Sequence, residues 1–60
     1  MEKKMGPTPN GGDYALTYYY DENGLEVDKD KAVGGIVTEF DSNNNVIKET
    51  SFLLKQKKEQ

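Results

Sequence analysis

Apolar residues concentrate in two runs, VGGIVTEF at 33–40 and VIKETSFLL at 46–54, separated by the polar stretch Asp41-Ser42-Asn43-Asn44-Asn45. Runs rich in β-branched and aromatic residues, bounded by Asp and Asn, predict two strands joined by a tight turn. Type I geometry suits that turn, with Asp41 accepting local hydrogen bonds and Asn44 in the left-handed region. Asp41 then faces Asn45, and Phe40 pairs with Val46, Thr38 with Lys48, Ile36 with Thr50 and Gly34 with Phe52. One face would carry Ile36, Phe40, Val46, Phe52 and Leu54. The other would carry Val33, Val37, Ile47 and Leu53, interrupted by Glu39, Glu49 and Ser51. A two-residue turn on Asn43-Asn44 would slip the register by one, pairing Glu39 with Lys48, Thr38 with Glu49 and Ile36 with Ser51. The first register is preferred.

Upstream, DYALTYYY at 13–20 predicts a further strand. Period-two alternation puts Tyr14, Leu16, Tyr18 and Tyr20 on one face, and Ala15, Thr17 and Tyr19 on the other. Asp21-Glu22-Asn23-Gly24 repeats the turn chemistry of Asp41-Ser42-Asn43-Asn44 twenty residues earlier, with Gly24 at the offset of Asn44. The chain would return as a short strand at 25–27, with Val27 opposite Tyr19. Residues 28–32 (DKDKA) suit a single helical turn or a wide loop. Gly34 and Gly35 leave a bare patch in the following strand, which Tyr18 or Tyr20 could cover. Residues 1–12 hold two prolines and three glycines without apolar periodicity, and read as a flexible arm. Residues 55–60 (KQKKEQ) read as a solvated tail, leaving 13–54 as the single domain.

Sixty residues set a tight limit on the core. At 6.8 kDa, area scaling gives roughly 9,900 Å² unfolded and about 4,000 Å² folded. There is no cysteine, so neither a disulfide nor a thiolate metal site can staple the fold. Net charge is −3 and all eight basic residues are lysines. An acidic chain without arginine lacks the side chain best suited to grip phosphate or guanine, which argues against a nucleic-acid partner. No apolar run approaches membrane-spanning length, and the N-terminal lysines precede no hydrophobic segment. A soluble, cytoplasmic protein is expected.

The chemical inventory narrows function further. Histidine, cysteine and arginine are all missing, so imidazole bases, thiol nucleophiles and guanidinium clamps are excluded. Carboxylates, lysines and tyrosines remain, but each needs a desolvated pocket that so small a fold has little room to build. No enzyme and no cofactor is expected. Asp41-Ser42-Asn43-Asn44-Asn45 echoes the opening of a calcium loop, yet Val46 replaces the glycine and Phe52 the bidentate glutamate. Asp28-Lys29-Asp30 with Glu39 fails similarly, at Ala32 and Val33. Both are read as turn chemistry, and no metal is expected. Asp21, Glu22, Glu26, Asp28 and Asp30 form an acidic stretch that would favour a basic partner. Lys3, Lys4, Lys55, Lys57 and Lys58 supply one within the same chain.

Two resemblances attach to these residues. The Tyr20-Asp21-x-Asn23-Gly24 unit and its Phe40-Asp41 echo resemble the YD repeats of Rhs-type shell proteins. Such repeats need stacked copies to bury their faces, so two copies here read as one favoured hairpin chemistry used twice. Asn10-Gly11-Gly12-Asp13-Tyr14, Tyr19-Tyr20-Asp21-x-x-Gly24, Val27-Asp28-Lys29 and Ala32 also resemble a family of short uncharacterised bacterial proteins. That family implies no activity and lends no functional residue.

The sequence therefore predicts an all-β antiparallel meander of three to four strands, built from two hairpins and completed by homodimerisation. Both faces of the sheet carry large apolar side chains that no helix could cover. The expected role is a small interaction or structural module acting through sheet faces or an edge strand. Its candidate interaction surface is Tyr14, Tyr18, Tyr19, Tyr20, Val37, Ile47 and Leu53. The alternative is a small-ligand or saccharide binder that uses the tyrosine stripe.

Overall fold

The computed structural model describes residues 1–54. Strands β1 (Glu2–Met5), β2 (Tyr14–Tyr20), β3 (Gly34–Phe40) and β4 (Val46–Leu53) form one antiparallel sheet, ordered as they occur in the chain. The fold is the expected all-β meander. A 3-10 turn at Lys29–Lys31 follows Asp28, as the charged stretch suggested. Residues 25–27 do not form a strand. They make a single bridge, Glu26 to Tyr20, and the Val27 amide donates to the Tyr19 carbonyl at 3.0 Å. The solvated tail expected at 55–60, with Lys55, Lys57 and Lys58, lies outside the described residues.

The flexible arm expected at 1–12 is replaced by structure. Glu2–Met5 pairs with β2, setting Lys3 opposite Leu16 and Met5 opposite Tyr14. The connection that returns the chain is a third copy of the same turn. In Thr8-Pro9-Asn10-Gly11, the Gly11 amide donates to the Thr8 carbonyl at 3.1 Å, and the Thr8 amide to the Gly12 carbonyl at 3.0 Å. Asp21 and Asp41 make the same two bonds in their own turns. In each turn the residue three beyond the first has positive φ: Gly11 at +90°, Gly24 at +81° and Asn44 at +68°. The leading side chain caps its turn each time. Asp21 Oδ1 accepts the amides of Asn23 and Leu25, Asp41 Oδ1 those of Asn43 and Asn45, and Thr8 Oγ1 that of Gly12. Pro9 presets the backbone angle that the second turn position requires, so proline here is a turn residue and not a mark of disorder.

The β3–β4 register needs correction. Asp41 faces Asn45 and Phe40 pairs with Val46, as the turn chemistry dictated. One step on, Ile47 is bulged out of the ladder. Glu39 therefore pairs with Lys48, Thr38 with Glu49, Ile36 with Ser51, Gly35 with Phe52 and Gly34 with Leu53. These are the pairings of the rejected two-residue turn, reached instead by a type I turn followed by a bulge. A one-residue slip exchanges the faces of every later side chain. Phe52 joins the face of Val37 and Glu39, and Leu53 that of Ile36 and Phe40. Two features favour the slip: Lys48 comes opposite the Glu39 carboxylate, and the Phe52 ring lies on Gly35. A Cβ on Gly35 would come within 2.6 Å of Phe52 Cζ and would strike the Tyr18 carbonyl. The glycine patch is thus met by Phe52 over Gly35 and by Leu53 beside Gly34, whose cross-strand partner on β2 is Tyr20.

Candidate interaction surface

Cross-strand pairing sorts the side chains into two unlike faces. The covered face carries Ala15, Thr17, Tyr19, Gly35, Val37, Glu39, Lys48 and Phe52. At one end, Tyr19 meets Phe52 edge to face with ring centroids 6.0 Å apart. The Tyr19 hydroxyl donates to the Glu2 carboxylate at 2.9 Å. That bond, followed by burial and the nearby Glu2 charge, raises the Tyr19 pKa above the ordinary phenol value. At the other end the first turn folds over the sheet. Glu39, only 2% exposed, accepts from Thr8 Oγ1 at 2.5 Å and from the Asn10 amide at 3.0 Å. Its second oxygen accepts from Asn10 Nδ2 at 2.7 Å. The Thr8 and Asn10 side-chain bonds hold the Glu39 pKa below the usual carboxylate range, against the opposing effect of burial and with help from Lys48. Between the two ends lies a depression of about 250 Å³, lined by Lys4, Pro7, Thr8, Pro9, Ala15, Thr17 and Val37.

The open face carries Met5, Tyr14, Leu16, Tyr18, Tyr20, Ile36, Phe40, Val46 and Leu53. Tyr14 stacks on Phe40 at 4.8 Å with the rings 8° from parallel. The Tyr14 hydroxyl donates to Asn44 Oδ1 at 2.6 Å, and the Lys3 ammonium stands 5.0 Å from the ring centroid. Leu53 is 73% exposed and Val46 53%. Every β4 residue except half-buried Phe52 is exposed.

The candidate residues do not form one surface. Tyr14, Tyr18, Tyr20 and Leu53 share the open face, whereas Tyr19, Val37 and Ile47 lie on the covered one. Tyr19 is a core residue, 6% exposed, and Ile47 packs against the Gly12 backbone. The sequence reading missed Met5, because strand β1 went unrecognised, and Val46 as its counterpart on the far edge. Asp41, the first candidate calcium ligand, is already engaged by the amides of its own turn. Those bonds, the Asn45 amide foremost, depress its pKa. Among the described residues no helix is long and apolar enough to cross a membrane.

No family model, no curated protein and no solved structure matches this chain.

Proposed function

We propose that the protein is a non-enzymatic interaction module whose sheet is completed by a protein partner, the simplest being a second copy of itself. One observation carries this. Among the described residues the buried hydrophobic side chains are Tyr19 and Ala32 alone. The open face keeps its large apolar groups in contact with water, more than a soluble monomer ordinarily tolerates. The acidic charge and lack of arginine favour protein over nucleic acid as partner, and the cysteine-free composition suits the cytoplasm. Saccharide binding through the tyrosines is the weaker reading, because the Tyr14 ring and hydroxyl are already engaged by Phe40 and Asn44.

Light scattering coupled to size exclusion at about 10–100 µM, where standard interfaces saturate, tests the proposal. A mass of two chains and a melting midpoint that rises with concentration are expected. A mass of one chain with a sharp, concentration-independent melt overturns it.

A further inference from the structure

The charged strand residues of the open face belong to its two lateral strands, with the Lys3 ammonium reaching to 5.0 Å from the Tyr14 ring centroid. Lys3 on β1 pairs with Leu16, Leu16 with Thr38, and Thr38 with Glu49 on β4. This single cross-strand row begins with a cation, ends with an anion and is uncharged between. The next row, Met5-Tyr14-Phe40-Val46, is apolar throughout. Among the described residues neither Lys3 nor Glu49 has an ion-pair partner; the pair present joins the Met1 amino group to Glu26 at 3.6 Å.

We infer that the open face is the homodimer interface, with two copies packed face to face about a two-fold axis parallel to the strands. The inference rests on the interaction-module reading and deepens it. Rotation about such an axis lays β1 of one copy over β4 of the other while each row stays at its own level. Lys3 then meets Glu49 of the second copy, twice by symmetry. Met5 lies over Val46 and Tyr14 over Phe40, so the apolar row is buried against its own reverse. Sheets packed this way lie about 10 Å apart with strands roughly 30° from aligned, a gap that a lysine and a glutamate at the rim span together. The patch is self-complementary, as a two-fold interface requires. Pairing through the β4 edge would leave Lys3 remote from the contact and the apolar row still wet.

Mixing two charge-reversal variants tests the geometry. Lys3→Glu alone sets glutamate against Glu49 at both rims, and Glu49→Lys alone sets lysine against Lys3. Each homodimer is expected to dissociate at least about tenfold more readily than wild type, since like charges are juxtaposed at two places. Combined in equal amounts, the two variants restore opposite charges at both rims. A 1:1 heterodimer with a dissociation constant within about threefold of wild type is expected, read by native mass spectrometry and sedimentation. Should either variant unfold alone, recovery of folded heterodimer on mixing supports the interface equally. Variant homodimers as stable as wild type, or variants that fail to recover on mixing, overturn this face while leaving a dimer standing. A wild-type monomer at about 100 µM overturns the module reading itself, and this inference with it.

Discussion

Thr8 donates its hydroxyl proton to the Glu39 carboxylate at 2.5 Å, across 31 residues of sequence. With the two bonds from Asn10, this contact ties the first turn to the middle of the sheet. It also closes one end of the covered face.

The tie makes stability depend on pH. Glu39 has a folded-state pKa below its unfolded value, so its contribution is fully present above the ordinary glutamate pKa of about 4.3. It is lost as pH falls through the lower, folded value. Asp41 acts in the same sense. The urea midpoint is expected to hold steady from neutrality to about pH 5 and then fall, with the Thr8 and Asn10 amides exchanging first. Glu39→Gln should flatten most of that fall and lower the neutral-pH midpoint. A variant with the wild-type acid profile would remove Glu39 as its cause.

Asn44 should tolerate glycine and reject a β-branched residue. At φ +68° glycine relieves the left-handed penalty of about 1 kcal/mol, but it also removes the acceptor for the Tyr14 hydroxyl. The two effects oppose, and Asn44→Gly is expected within about 0.5 kcal/mol of wild type. Asn44→Val keeps neither advantage and should cost more than about 1 kcal/mol. Urea melts of the two variants with equal midpoints would contradict the turn assignment.

Local chemistry was legible here, and competition between local and tertiary preferences was not. The turns at Asp21 and Asp41 could be read because one carboxylate and one left-handed residue settle each without outside help. Pro9 and the neighbouring glycines of the first turn are equally at home in a disordered end, and only Glu39, far away in sequence, distinguishes the two. The bulge at Ile47 was hidden for a related reason. The turn favours one register and Phe52 on Gly35 favours the other, and inserting one residue satisfies both. The interaction surface was scattered as a consequence, since the slip reverses every side chain from Lys48 onward.

Calcium should find no purchase on the Asp41 turn. Asp41 Oδ1 already accepts two amides, and Oδ2 faces Asn45 Nδ2 at 3.4 Å. Ligation through Oδ1 would have to compete with the bonds that define the turn. Millimolar calcium is expected to leave the amide shifts of Asn43 and Asn45 unchanged. Saturable movement there with a dissociation constant below about 100 µM would revive a metal site.

Gly35 and Phe52 decide between the two registers through their coupling. In the sheet as it stands, an added Cβ would strike the Tyr18 carbonyl and sit 2.6 Å from Phe52 Cζ and 3.1 Å from Cε2, so the backbone would have to shift and the ring to leave. Displacing it would also break the edge contact with Tyr19, one of the few buried apolar groups. Gly35→Ala should therefore cost about 1–3 kcal/mol, the range for overpacking a well-fitted site. With Phe52 opposite Gly34 instead, the clash with the Tyr18 carbonyl would remain, since the β2–β3 pairing is the same in both registers, but the part of the cost that comes from the ring would vanish. Shortening the ring separates the causes, because Phe52→Leu empties the space over Gly35. The penalty for Gly35→Ala in that background should shrink by at least about 0.5 kcal/mol, the lower end of coupling between touching residues. Urea melts of the four proteins in this cycle give the answer. Strictly additive costs would mean that the Phe52 ring does not rest on Gly35, and the bulge at Ile47 would lose its structural reason.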